Sequence, residues 1–484
     1  MGAQINTHVI ARSEAAWQSV PLFHVETANR ATRNDTDQEE DDYMDTLFSN
    51  ISVVTMDERM QVLTDAFVGI TGGKISWLAK KPPEEKPQRI IDGTGMVLLP
   101  GLINCHTQLE QTILRGWADD CGHESRLAER LYPRLEKLDD RAAKAAATLG
   151  IAECLRMGVT SVSDLSGHID AVAQAVSESG IKANLAQETT MYLGEDFDFE
   201  TYPDCRAFVQ AHEQWHGHDN GRILIEAGLH GVYSSSHELW DALAEYAINN
   251  RLGLHLNLSQ FAWENEDCLD RAGLTPAQLL DCHNLFGVRA QAAHCCHLEA
   301  EDLALLGRRK VSAVCCPVAD RKLAAGEADV LAMVKAGMNV ALGTDSAAAV
   351  GSMDLLAQAR TAALSAKTRT GDPETLSAQA ALLMATVCGA KAQGRAQECG
   401  MIKLGLDADL VALDFIQPHL IPCHNIVNNV VYAASGRDVC MTMVRGEILY
   451  ASGTYPTIDL SAVMQELAEY AMPTVFAEKE EEPA

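Results

Sequence analysis

The chain is short of basic residues. Among its 484 residues are 38 Lys or Arg against 67 Asp or Glu, a formal net charge of −29. Such a surface repels polyanions and offers no basic stripe for nucleic acid or an anionic membrane. There is no CxxC repeat either: the 14 cysteines are scattered, and the close pairs are Cys295-Cys296 and Cys315-Cys316. That spacing excludes a disulfide scaffold and fits a reduced, cytoplasmic setting. No apolar run reaches the roughly 18 to 20 residues of a membrane span, and the basic-then-apolar order of a secretory start is missing. What is there is 47% hydrophobic with only 15 prolines, the makeup of one large enzyme-sized domain plus a smaller one. Small molecules or proteins are the expected partners.

Residues 1–43 keep no sustained period and contain the acidic run "NDTDQEEDD", the signature of a solvated, disordered leader. The folded protein is expected to begin at Met44, and translation starts at either Met1 or Met44. Residues 44–100, with turns at Gly72-Gly73 and "DGTG", read as short strands. The same texture returns in 397–456, so the two stretches are expected to form one composite β-sandwich domain. Between them, 101–396 alternates helical segments such as "DDRAAKAAATLGIAECLRMG" with short apolar strands such as "RILIEAGLHG" and "LGLHLNLSQ". Strands separated by helices of this length imply βα units and a parallel sheet. The fold class is therefore α/β, a (β/α)₈ TIM-type barrel with a small composite β-domain, followed at 457–484 by a C-terminal helix and charged tail.

Polar groups stand at the ends of successive strands: His106 with Gln108, Asp164, His230, His255 with Asn257 and Gln260, His294, Cys315 and Asp345. One histidine on an apolar strand is usually a satisfied core residue. Seven such groups at strand ends, where barrels place their chemistry, indicate a site. Asp164 reads equally well as a helix cap, and Cys315 as inert packing.

These residues sit within "LLPGLINCHT", "TILRG", "GLHGVY", "AHCCHLEAEDLALL", "CCPVADRKLAAG", "VALGTDSAAA" and "LGLDADLVALD". In that order the motifs resemble the amidohydrolase superfamily, and within it the branch of 5-methylthioadenosine/S-adenosylhomocysteine deaminases, over residues 44 to about 470. The resemblance implies a hydrolytic deaminase of adenine-like rings and a homo-oligomer. It implies a metal, zinc or iron, held by His-x-His on the first strand, His on the fifth and Asp on the eighth. Carried over residue by residue, it puts His106 and Asp345 at metal positions but Gln108 and Asn257 at the other two, with His255 close enough to be recruited. Gln260 stands where the proton-shuttling Glu belongs, His294 where water is oriented, and His230 against substrate. Leu135 occupies the position of a substrate-binding Glu, with Glu136 one residue away; Cys315 and Asp320 replace His and Asn.

An amide oxygen is a weaker zinc donor than imidazole and carries no charge, and Gln cannot carry a proton as Glu does. Two readings follow. One is a divergent deaminase acting on C–N bonds of an adenine-like nucleoside or related heterocycle, with His106 and Asp345 holding zinc or iron. The other is a non-catalytic paralogue with no metal that binds a nucleoside-like ligand or regulates an active homologue.

Overall fold

A computed structural model describes residues 43–122, 125–192 and 194–477. The acidic leader, except for Tyr43, and the last charged residues lie outside that range. Strands β1 (Met44–Val54), β2 (Val62–Thr71), β3 (Lys74–Ala79), β4 (Pro87–Asp92) and β5 (Met96–Pro100) come first. The parallel set follows: β6 (Leu102–Thr107), β7 (Val159–Ser166), β8 (Lys182–Gln187), β9 (Ile223–Leu229), β10 (Leu254–Leu258), β11 (Ala290–His294), β12 (Ser312–Cys315) and β13 (Asn339–Leu342). The chain closes with β14 (Leu410–Asp414), β15 (Val439–Val444) and β16 (Glu447–Ala451).

One eight-stranded sheet takes strands from both ends of the chain, in the order β16-β15-β14-β5-β1-β2-β3 with β4 beside β1. The two ends meet where β5 runs antiparallel to β14, Leu98 opposite Ala412. β6 to β13 form the second sheet in strict sequence order. Its strands are almost wholly buried, as expected where helices cover one face and neighbouring strands the other. Leu254, Leu256 and Leu258 of β10 join the main apolar cluster, so the strand's alternation turns His255 and Asn257 to the barrel interior. Helices between strands are punctuated by side-chain caps and glycine stops: Asp139 accepts from the amide of Ala142, and Gly180 ends Ile169–Ser179 with φ 86°.

Two backbone contacts close the barrel next to the future site. The amides of Thr344 and Asp345 donate to the His106 carbonyl at 3.1 and 3.0 Å. Gly343 lets the backbones meet there, since a Cβ on it would lie 2.7 Å from that of His106. At the opposite end Lys182, the first residue of β8 and fully buried, donates to Asp407 and Asp409 at 2.7 and 2.6 Å. These carboxylates precede β14, so an ion cluster ties barrel to sheet. C-terminal helices pack on the segment after β6: Arg134 donates to the Val475 carbonyl at 3.2 Å, and the rings of Trp117 and Phe476 lie 4.8 Å apart. Among the described residues no helix is long and apolar enough to cross a membrane.

Candidate active site

His106, at the C-terminal end of β6 and 1% exposed, meets two other imidazoles. Its Nδ1 lies 2.9 Å from Nε2 of His255, and its ring centroid 5.3 Å from that of His294. Its Nε2 is 3.9 Å from Oδ1 of Asp345. Burial, reinforced by His255 and His294, pushes His106 well below the usual imidazole range. Burial likewise brings His255 down to about 4. Both rings are neutral at pH 7, and one donates a ring N–H to the other. The far nitrogen of His255, Nδ1, is buried without a partner.

His294 is organised differently. Its Nδ1 pairs with Oδ1 of Asp320 at 2.7 Å, both side chains 2% exposed. Burial opposes its charged form, but the Asp320 carboxylate outweighs that and the net shift is upward. His294 and Asp345 have φ of 69° and 66°, left-handed values that non-glycine residues adopt at a cost and that cluster at functional sites. Asp345 accepts from the amide of Ser346, and burial raises its carboxyl above the usual range.

A second group lines the opposite wall. Glu188, just past β8, pairs with Nδ1 of His230, whose Nε2 meets the Tyr233 hydroxyl at 2.6 Å. Gln108 donates weakly to the same Glu188 at 3.5 Å. Asn257 leaves Oδ1 buried and unpartnered. Between the walls lies a cleft with about 550 Å³ of space, lined by Gln108, Asn257, Gln260, His230, His294 and Asp345 among others.

The barrel therefore brings His106, Gln108, His230, His255, Asn257, Gln260, His294 and Asp345 to one end. Glu136 is a correction: it is exposed, and Leu135 lines the cleft, because one residue along a helix rotates the side chain by roughly 100°. Cys315 lines a separate small cavity behind Asp320. Asp164 fixes the turn after β6, accepting from the Leu109 amide at 2.7 Å and the Thr107 hydroxyl at 2.8 Å through Oδ2 and from Ser166 at 2.5 Å through Oδ1. Burial raises its carboxyl to about 7 despite these donors. The folded state thus holds the proton more tightly than the unfolded chain, and the stability this gives is lost as pH rises from about 4 to about 7. Asp164→Asn, which cannot ionise, is expected to gain stability relative to the parent across that window, read from urea midpoints at pH 4, 5.5 and 7. Sequence reasoning missed Glu188, although it stands at a strand end as Asp164 does. It also missed Tyr233 and Arg126, which carry no local signal.

The donor set does not fit the tetrahedral ion that the resemblance implies. Zinc needs its donors about 2.0–2.3 Å from a common point. His106 offers only Nε2, 3.9 Å from Asp345 Oδ1, its Nδ1 being bonded to His255, and Gln108 and Asn257 present amides. Among the described residues no group of three or more His, Cys, Asp or Glu side chains converges on an ion position.

The model of the amidohydrolase family matches residues 97–449. The 5-methylthioadenosine/S-adenosylhomocysteine deaminase of Moorella thermoacetica is 38% identical over 403 residues, covering 83% of this chain and 91% of its own. The 5′-deoxyadenosine deaminase of Methanosarcina acetivorans is 34% identical over 422 residues, 87% of this chain and 96% of its own. The solved adenosine deaminase of Xanthomonas campestris, crystallised with zinc, superposes with a TM-score of 0.84 at 27% identity, covering 89% of this chain and 99% of that one. With the motifs, the barrel and these relatives in agreement, the chain belongs to the amidohydrolase family.

Proposed function

We propose that the cleft binds an adenine-like nucleoside or related heterocycle without metal-dependent deamination. Family membership and the deaminase names of the relatives support hydrolytic deamination of an adenine-like ring as the reaction around which this barrel arose. The observation that carries the proposal is the direct His106–His255 hydrogen bond of 2.9 Å. It commits Nδ1 of His106 and Nε2 of His255 to each other, so His255 does not stand in as a ligand for the amide of Asn257. Gln260 adds to it, since an amide holds a water or ring nitrogen by hydrogen bonds but carries no proton between them. His230, oriented by Glu188, offers a ring-recognition group that does not depend on metal. The fourteen free cysteines support a cytoplasmic setting, and association with copies of itself or with an active homologue belongs to the same reading.

The expected result is well under one zinc or iron per purified chain, no ammonia release from adenosine or 5′-deoxyadenosine, and a raised melting temperature with either nucleoside. A ligand at a hundred times its Kd stabilises the native state by about 2.7 kcal/mol. Stoichiometric metal together with steady ammonia release overturns this and establishes the second reading, an active deaminase using zinc or iron. That reading draws on two proximities, His106 Nε2 to Asp345 Oδ1 at 3.9 Å and the His106 and His294 ring centroids at 5.3 Å.

A further inference from the structure

We propose that Arg126 makes the cleft select a ligand that carries an anionic group, a carboxylate or a phosphate, beside its ring. The inference rests on the nucleoside reading of the cleft and narrows it.

Arg126 lies in the π-helical stretch Ser125–Leu131, a rare wide helix that is frequent at functional sites. The residue is 7% exposed and lines the cleft together with Leu127, Leu131, Tyr132 and Leu135. Its Nε is buried with no hydrogen-bond partner, and it forms no ion pair with a described residue. A guanidinium cannot neutralise itself by losing a proton, so its buried Nε–H without a partner is held at a cost in free energy. Of the cleft's own acids, Glu188 pairs with His230, and Asp345 accepts from the Ser346 amide and feels the Arg126 charge without forming an ion pair with it. The adjoining position 135, where the resemblance places an acidic group that grips substrate, is leucine. A planar fork of donors that meets no acceptor among the described residues is suited to the two oxygens of a carboxylate or phosphate. The stretch is tied to the segment after β6 at Arg130, whose carbonyl accepts from Trp117 Nε1 at 3.1 Å.

The test compares adenosine, adenosine 5′-monophosphate and adenosine-5′-carboxylic acid by calorimetric titration, and inorganic phosphate and acetate by thermal shift. Each is run with the parent and with Arg126→Met, with Arg126→Gln as the second variant should the first fail to fold. Charge-assisted hydrogen bonds lead to tighter binding of one or both anionic nucleosides than of adenosine by about 10- to 100-fold in the parent. Whichever anion leads identifies the source. Arg126→Met is expected to abolish the preference, keep adenosine binding and melt at a higher temperature than the parent when ligand-free, because the unpaired charge is gone. Adenosine binding with no anion preference overturns the role of Arg126 and leaves the nucleoside reading standing. Loss of all nucleoside binding, with phosphate or acetate stabilising the parent but not the variant, overturns the nucleoside reading and keeps the anion site. If no probe separates parent from variant, the inference is overturned.

Discussion

Replacing three neutral residues together, Gln108→His, Asn257→His and Gln260→Glu, is expected to convert the protein into a zinc-binding deaminase. Ammonia release from adenosine should exceed that of the parent by about 10²- to 10⁴-fold, the range that one positioned acid–base group contributes. The reason is geometric. Gln108 follows His106 by two residues and lines the cleft, and Asn257 follows His255 by two on the inward face of β10. Imidazoles at both positions would compete with His255 for the space in front of His106 and Asp345, and an ion would repay the broken His106–His255 bond. Gln260→Glu alone is expected to change nothing measurable, since a proton shuttle without an activated water has nothing to carry. The singles and the triple should therefore be strongly non-additive. Elemental analysis and an ammonia assay on the parent, the three singles and the triple check this. Zinc uptake without ammonia release would mean that the cleft no longer recognises adenosine, and absence of zinc in the triple variant would mean that the strand ends have moved apart.

The sequence made the scaffold readable because each strand and helix advertises itself locally. "LHLNL" alternates apolar and polar side chains along five residues, and the alternation alone places His255 and Asn257 on one face. "LLPGLINCHT" likewise announces β5 and β6 with the glycine between them. Pairing across the barrel is another matter. Whether His255 would face an ion or His106 depends on side chains from strands 149 positions apart, and no local pattern encodes it. The same holds for Glu188 with His230, and for Asp320, which reads as a substituted asparagine in sequence and becomes the partner of His294 in space. Glu136 shows the reverse failure. A chemically attractive residue one step from the expected position points the wrong way, because helical geometry rather than residue type decides what lines a cleft. Arg126 was illegible for a third reason: a lone arginine in a helical segment is ordinary until its burial and lack of a partner are known.

Lys182→Ala is expected to lower global stability by about 3–5 kcal/mol, the cost of removing one partner from a buried ion pair. The lysine is fully buried and donates to Asp407 and Asp409, while Lys74 and Arg445 reach Asp407 from outside at 2.8 and 3.2 Å. Burial opposes the charged form of Lys182, but Asp409 and its neighbours outweigh that and the net shift is upward. Burial likewise opposes ionisation of Asp407, yet Lys182 and Lys74 prevail and bring it down to about 2. A carboxyl lowered in the folded state stabilises above its unfolded value and loses that contribution as pH falls from about 4 towards about 2. The parent should therefore show an acid limb of stability in that window which Lys182→Ala flattens. Urea unfolding from pH 7 down to pH 2.5 measures both effects. Lys182→Met combined with Asp409→Asn should recover part of the loss, because the pair is then replaced rather than orphaned. The cluster sits at the opposite end of the barrel from the cleft, joining β8 to the sheet that both chain ends build. Nucleoside binding by the folded fraction of Lys182→Ala should accordingly match the parent, and a weakened binding constant at pH 7 would show that the sheet positions the strand ends as well as stabilising them.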